Sequence, residues 1–372
     1  MKRISAEQEQ RNPPDFTIFF TVLILTAFGL IMVFSASYIT ALEARGDAFY
    51  FLRRQAFWVG LGLIGMVLTA NFNYRKWRRI VPLLLLLNFI LLLLVFIPGV
   101  GVEYGGARRW ISLGTFTTIQ PAEFTKLVLI IFTASILSKK NVDMDDFWRS
   151  SFVPLLMMAV SFLMIIKQPD LGTAVALALA VGIVVFAAGM PFKQLFYLAT
   201  FSLPVMLYFS MSEEYRMQRI FSFLDPWADP LDTGYHIIQS LYALGPGGLF
   251  GVGLGRSRQK LYYLPEPQND FIFAIIGEEL GFLGAVTIML LFFVLIWRGF
   301  KTSLLAPDAF SSLLAAGITV MVAVQALLNI GVVTGSIPVT GITLPLISAG
   351  GSSLFFTMCS MGILMNISRY NR

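Results

Sequence analysis

Apolar runs long enough to cross a bilayer recur along this chain from about Phe16 almost to its end. No other feature constrains the fold as strongly. A backbone in hydrocarbon must satisfy its own hydrogen bonds, and apolar runs of ~20 residues do so as helices. Ten runs stand at roughly 16–39, 52–71, 80–98, 121–138, 152–168, 171–190, 194–211, 270–297, 311–334 and 344–366. The expected fold is an all-α polytopic membrane protein of about ten transmembrane helices. One long extracellular loop, 212–269, separates the seventh from the eighth. The organisation that follows is a polar cytoplasmic N-terminal tail, 1–15, and a single membrane domain, 16–372. Only 13% of the residues are charged, about half the share of a soluble domain, and no polar stretch is long enough for a second domain. The first run is long enough to span and carries no secretory cleavage site, and the single cysteine, Cys359, allows no intramolecular disulfide.

Basic residues orient the chain. With the N-terminus in the cytoplasm, Lys2, Arg3 and Arg11, the group Arg75, Lys76, Arg78 and Arg79, and the pair Lys139 and Lys140 all fall inside. That excess favours N-terminus-in. Of the eleven outer basic residues, all but Arg45, Arg53, Arg54 and Lys167 gather in two places, Arg108 and Arg109 in "GGARRW" and Arg216, Arg219, Arg256, Arg258 and Lys260 in the long loop. They point to an anionic ligand on the outer face. The net charge of +6 reads as orientation and anionic lipid, with no nucleic-acid partner.

Ionisable residues at membrane depth are costly and become functional candidates. Glu123 and Lys126 stand three apart, on one helix face, as an ion pair or a site. Asp170 sits in the tight "KQPDLG" hairpin, where it can cap the next helix. Asp270 opens the eighth run, beside the basic loop; by residue type, capping and base catalysis are both open. Glu278 and Glu279 lie about two turns further on, too far round the helix to share one site with Asp270. They are expected to pair with polar groups. His236, the only histidine, reads as a packed or hydrogen-bonding residue, and no zinc set can be assembled around it. Glycines 245, 247, 248, 251, 253 and 255 allow close approach, either to backbone or to phosphate.

The segments "GARRWISLG", "IQPAEFTKL", "QPDLGTA", "DPWADPLDTGYHIIQSLYALGPGGLFGVGLGRSRQKLYYLPEPQNDFIFAIIGEELGF" and "GSIPVTGITLPLISAGGSSL" together resemble the SEDS family of shape, elongation, division and sporulation proteins. The resemblance runs from about Asp15 to the C-terminus and is closer to the division and sporulation branches than to the elongation branch. It implies ten spans with both termini cytoplasmic, in the bacterial cell membrane at a division or spore septum. It implies an inverting peptidoglycan glycosyltransferase that polymerises lipid II beside a class B penicillin-binding protein and other division or sporulation proteins. It places the family's essential acidic residue, the catalytic one, on Asp270. Two departures stand out: "SAGGSS" replaces the family's usual "SYGGSS" at Ala349, and Asn269 stands where Thr is common.

The bare residues fit that chemistry. Arg108, Arg109, Arg216, Arg219 and Lys260 are candidates for the pyrophosphate, with Glu123, Lys126 and Asp170 lining the substrate cavity. A divalent cation, Mg or Mn, could neutralise the pyrophosphate, although no closed metal site is visible; no organic cofactor is expected. Gly281, Gly284, Ala285, Ala315, Ala316 and Gly317 on the eighth and ninth runs would let a partner helix approach. Two other functions suit parts of the pattern, a lipid II flippase and a non-catalytic scaffold for a penicillin-binding protein.

Overall fold

The computed structural model describes residues 12–114, 117–139 and 142–371. The tail residues 1–11, with Lys2, Arg3 and Arg11, and also Lys140, lie outside the described residues. Among the described residues, twelve α-helices form. Ten coincide with the ten apolar runs: α1 (Phe16–Arg45), α2 (Tyr50–Asn71), α3 (Tyr74–Leu94), α4 (Pro121–Leu137), α5 (Phe152–Ile166), α6 (Leu171–Ala187), α7 (Phe192–Met211), α10 (Ile272–Leu304), α11 (Ala309–Val333) and α12 (Gly351–Ser368). The long loop between α7 and α10 folds as α8 (Glu214–Leu224), α9 (Tyr235–Leu244) and two short 3₁₀ turns. Seven of the helices are long and apolar enough to span by themselves, and the chain is a multi-pass membrane protein.

Helices α4, α11 and α12 form the interior, while α3 and α7 turn apolar side chains outward. None of α7 is buried; it is held near its ends, by Gln194 Nε2 donating to the Asp145 carbonyl (2.8 Å) and by Phe209 against Phe162. The first and last described residues lie on one face: Asn12 N–H donates to the Arg369 carbonyl (2.9 Å) and Asp15 N–H to Ser368 Oγ (3.0 Å). That fits an even number of crossings. The buried pair Glu123 and Lys126 holds α4 to α11, because Lys126 Nζ also donates to Gln325 Oε1 (2.9 Å).

Two features were not read from the sequence. The first is a three-stranded antiparallel sheet, β1 (Gly101–Tyr104), β2 (Ala107–Leu113) and β3 (Thr117–Ile119). Its hairpin turns on Gly105 and Gly106, both at positive φ, as a two-residue turn between twisted strands requires. The second is a break in α10. Its 33 residues would reach about 50 Å as one helix, well beyond the ~30 Å hydrocarbon core. At Gly281 the chain takes φ 67°, ψ −165°, leaving Phe282–Leu304 as the crossing portion.

The glycine loop satisfies the groups freed by that break. Val252 and Gly253 N–H donate to the Glu278 and Glu279 carbonyls, and Phe282 and Leu283 N–H donate to those of Gly248 and Leu249, all within 2.8–3.1 Å. A Cβ on Gly251 would stand 2.2 Å from the Glu279 carbonyl oxygen. At Gly251 the small residue serves close backbone approach.

The small residues expected to receive a partner helix divide. Ala315, Ala316 and Gly317 are buried, and a Cβ on Gly317 would meet Ile130 and Val184. The α11 half of the expected docking face is therefore interior packing. Gly281 is covered by the glycine loop, which leaves Gly284 and Ala285 half-buried on α10.

Candidate active site at the start of helix α10

Asp270 lies in the turn before α10, half-buried. It does not cap the helix: Phe271 occupies the cap position, and no side chain bonds to the first-turn N–H groups. The turn is fixed through its backbone instead, since Asn329 Nδ2 donates to the Asp270 carbonyl (2.7 Å) and to that of Ile342 (2.8 Å). Among the described residues the Asp270 carboxylate accepts no hydrogen bond. Its charged neighbours are Glu266, Arg109, Arg219 and Asp170. Burial, then Glu266, pushes the Asp270 carboxyl up to about 6, against the opposing pull of Arg109 and Arg219.

Strand geometry explains why only one of the two consecutive arginines reaches this site. Side chains alternate across a strand. Arg108 is exposed and pairs with Glu103 across the hairpin (2.9 Å). Arg109 points the other way, where its Nε donates to the Gln168 carbonyl (3.2 Å) and its Nη2 to that of Pro169. This holds it over the α5–α6 turn, facing Asp270. Asp170 in that turn caps α6 through Thr173 N–H (3.1 Å) and accepts from Gln120 Nε2 (2.8 Å). Arg219 comes from α8, where it donates to the Val339 carbonyl (3.3 Å) and stands over the Tyr215 ring.

The five basic residues expected at the pyrophosphate are not gathered into one site. Arg109 and Arg219 face Asp270, and Arg108 does not. Arg216 is buried, and its guanidinium is occupied by the carbonyls of Phe209 (2.9 Å) and Ile166 (3.3 Å) and by Tyr215 Oη (2.8 Å), tying α8 to α5 and α7. Lys260 is buried against Glu279 (2.8 Å) and under Tyr38. Glu123 and Lys126 are a structural strut inside the bundle. Arg216 and Lys260 are drawn away by buried carbonyls and a buried carboxylate, and Arg108 by strand alternation toward the exposed Glu103.

Glu266 was missed, although it stands one turn before Asp270 in the same "LPEPQND" stretch. It accepts from Tyr104 Oη (2.6 Å), joining the β-hairpin to the loop, and from Gln268 and Asn269. His236 stacks on Phe271 (5.9 Å between centroids, 9° between planes). Burial, then Arg219, lowers its pKa, so the ring is neutral near pH 7. Among the described residues, no group of three or more His, Cys, Asp or Glu could hold a metal ion.

A broken helix, a long loop folded into its gap and a carboxylate without a hydrogen bond near two arginines define a multi-pass membrane protein with a charged cluster at one end of its bundle. The family described as "Cell cycle protein", which groups FtsW, RodA and SpoVE, matches residues 15–372, and the chain belongs to it. "Stage V sporulation protein E" of Bacillus subtilis (strain 168) is 49% identical over 364 residues, covering 98% of this chain and 99% of that protein. "Probable peptidoglycan glycosyltransferase FtsW" of Geobacter sp. (strain M18) is 41% identical, covering 95% and 96%. Among solved structures, a chain of a peptidoglycan synthase complex that coordinates polymerization and crosslinking matches with TM-score 0.78 and 30% identity, over 96% of this chain and 98% of that one. The rod shape determining protein RodA of Thermus thermophilus matches with TM-score 0.71 and 29% identity, over 96% and 97%.

Proposed function

We propose that this protein is an inverting glycosyltransferase that polymerises lipid II into glycan strands for the septal wall or the spore cortex, with both termini cytoplasmic. The observation that carries the proposal is the Asp270 carboxylate, free of hydrogen bonds and flanked by Arg109 and Arg219. The acceptor's sugar hydroxyl gives its proton to Asp270. Its oxygen bonds to the donor's anomeric carbon, the bond from that carbon to the pyrophosphate oxygen breaks, and the electron pair leaves on the pyrophosphate. Attack from the opposite face inverts the centre. Arg109 and Arg219 supply charge where the leaving group gathers it. A carboxyl near 6 is a stronger base than an ordinary aspartate, yet is mostly ionised at pH 7.

The exposed length of α7 offers an apolar wall for a lipid tail, while Asp170 and Glu266 position the groups around the base. A divalent cation, where the reaction uses one, would be held chiefly by the pyrophosphate itself, since both Asp170 oxygens already accept hydrogen bonds. The fold shared with a chain of a polymerising and crosslinking complex supports a class B penicillin-binding protein as partner. The deciding experiment incubates the purified protein and that partner with lipid II in detergent and separates the products by gel. Glycan polymer is expected; a flippase or a scaffold makes none.

A further inference from the structure

A second basic feature lies away from Asp270 and is not used by the chemistry above. A cavity of about 700 Å³ opens between α9 and the loop that follows the glycine run. Its size is within the ~300–1,000 Å³ of small-molecule sites. One wall is apolar, with Leu241, Tyr242, Pro246 and Val252; the other carries Arg256, Arg258 and Gln259. Neither guanidinium has a hydrogen-bond or ion-pair partner among the described residues, in contrast to Arg108, Arg216 and Lys260. The Gln259 side-chain oxygen is buried and also without a partner.

A carboxylate, Glu278, lines the same cavity and would oppose an anion there. It is engaged with the loop instead: it accepts from Ser257 Oγ and from the N–H groups of Arg258 (2.8 Å) and Gln259 (3.4 Å). Glu278 therefore fixes the backbone that carries both arginines, and its own charge is directed into that loop. The cavity offers two cations, one buried acceptor and an apolar wall. That combination suits a phosphate-bearing sugar on a lipid.

We propose that this cavity holds the pyrophosphate end of the acceptor lipid, a second binding site distinct from the donor site at Asp270. The inference rests on the polymerase reading above. In the donor, the pyrophosphate is attached to the carbon under attack, so it must lie beside the base. In the acceptor, the attacking hydroxyl and the pyrophosphate are at opposite ends of a disaccharide. With the hydroxyl at Asp270, the acceptor's pyrophosphate must sit one two-ring sugar unit away. Glu278, on the cavity wall, stands six residues into α10, roughly 9 Å along the axis from the helix start that Asp270 precedes. Arg109 and Arg219 then serve the donor, and Arg256 and Arg258 serve the acceptor, whose own pyrophosphate bond stays intact in the step.

The test uses the full chain carrying Asp270→Asn, which binds substrate without consuming it, titrated with lipid II and weighed intact by native mass spectrometry. Two bound lipids are expected. Adding Arg256→Ala with Arg258→Ala should leave one, and the Arg→Lys pair should keep two. In the otherwise unaltered chain, the alanine pair should raise the lipid II concentration for half-maximal rate about tenfold, with the maximal rate recovered at saturation. Two lipids still bound by the alanine pair would overturn the proposal. So would a cavity that takes up phosphatidylglycerol but no lipid II. Asp270→Asn protein that still polymerises, or that binds no lipid II, would instead overturn the polymerase reading, so the two failures are distinct.

Discussion

Helix α10 carries acidic residues on either side of the same two turns, and they are treated in opposite ways. At its start, the Asp270 carboxylate faces two arginines and accepts no hydrogen bond. Further along, Glu279 accepts from Ser35 Oγ (2.6 and 2.8 Å), Ser257 N–H (3.3 Å) and Lys260 Nζ (2.8 Å), with Glu279 0% and Lys260 2% exposed. One carboxylate keeps its lone pairs for an incoming proton; the other is fully engaged in clamping a loop into a helix break. Satisfied polar groups hold a structure together, while an unsatisfied one beside cations is poised for chemistry.

The largest effect is expected at the open end. Asp270→Asn removes a base and no internal hydrogen bond, so glycan synthesis should fall by about 10²–10⁴-fold with no loss of thermal stability, because burial already holds the ionised carboxylate at a cost. The same carboxylate sets the pH response. Because it must be ionised to act, the rate should rise with pH through about 6 and flatten above it. A rate that is flat from pH 5 to 8 in the unaltered protein would remove Asp270 from the proton transfer.

The closed end should respond in stability. Lys260→Met strands the Glu279 charge in a dry site, at a cost of about 3–5 kcal/mol. Combining it with Glu279→Gln should recover most of that loss. Thermal unfolding in detergent checks both, and a double variant no more stable than Lys260→Met alone would contradict the pairing. The two consecutive arginines sharpen the contrast within one strand. Arg109→Ala should raise the lipid II requirement about tenfold, a loss of ~1.4 kcal/mol of binding. Arg108→Ala, whose partner is an exposed Glu103, should leave it nearly unchanged.

The ten helices were legible because each is a long apolar run, and that signal survives without knowing any neighbour. Asp270 was legible as a candidate, but its freedom from capping was not, since that depends on where α10 begins. The break at Gly281 was hidden inside a continuous apolar run: glycine permits a positive φ, but only the loop hydrogen bonds from Gly248 to Gly253 make it worthwhile. The division of labour between Arg108 and Arg109 needed a strand, and the sheet is too short to stand out from a polar loop. Lys260 could not be assigned either, because its partners Ser35 and Glu279 come from two helices that meet only in the folded bundle.

The smallest effect is expected on the outer surface of α10, just past the break. Gly284 is half-buried, next to Leu283 and close to the exposed Phe282 and Met289, a strip where a single foreign helix could lie close. On α11 the comparable small residue Ala316 is buried. The same substitution should therefore read out differently at the two sites. Gly284→Leu should weaken co-purification with the crosslinking partner a few-fold and leave Asp270 chemistry alone, with a small drop in unfolding temperature because an added Cβ would stand 2.2 Å from Leu280 Cβ. Ala316→Leu should lower the unfolding temperature, because an added side chain in a filled interior costs about 1–3 kcal/mol. Should Gly284→Leu keep the partner at full occupancy, docking must use another face of the bundle. Should both variants lose stability equally, α10 is packed in the assembled protein as tightly as α11, and the contrast between an open and a closed side of the break would not extend to this surface.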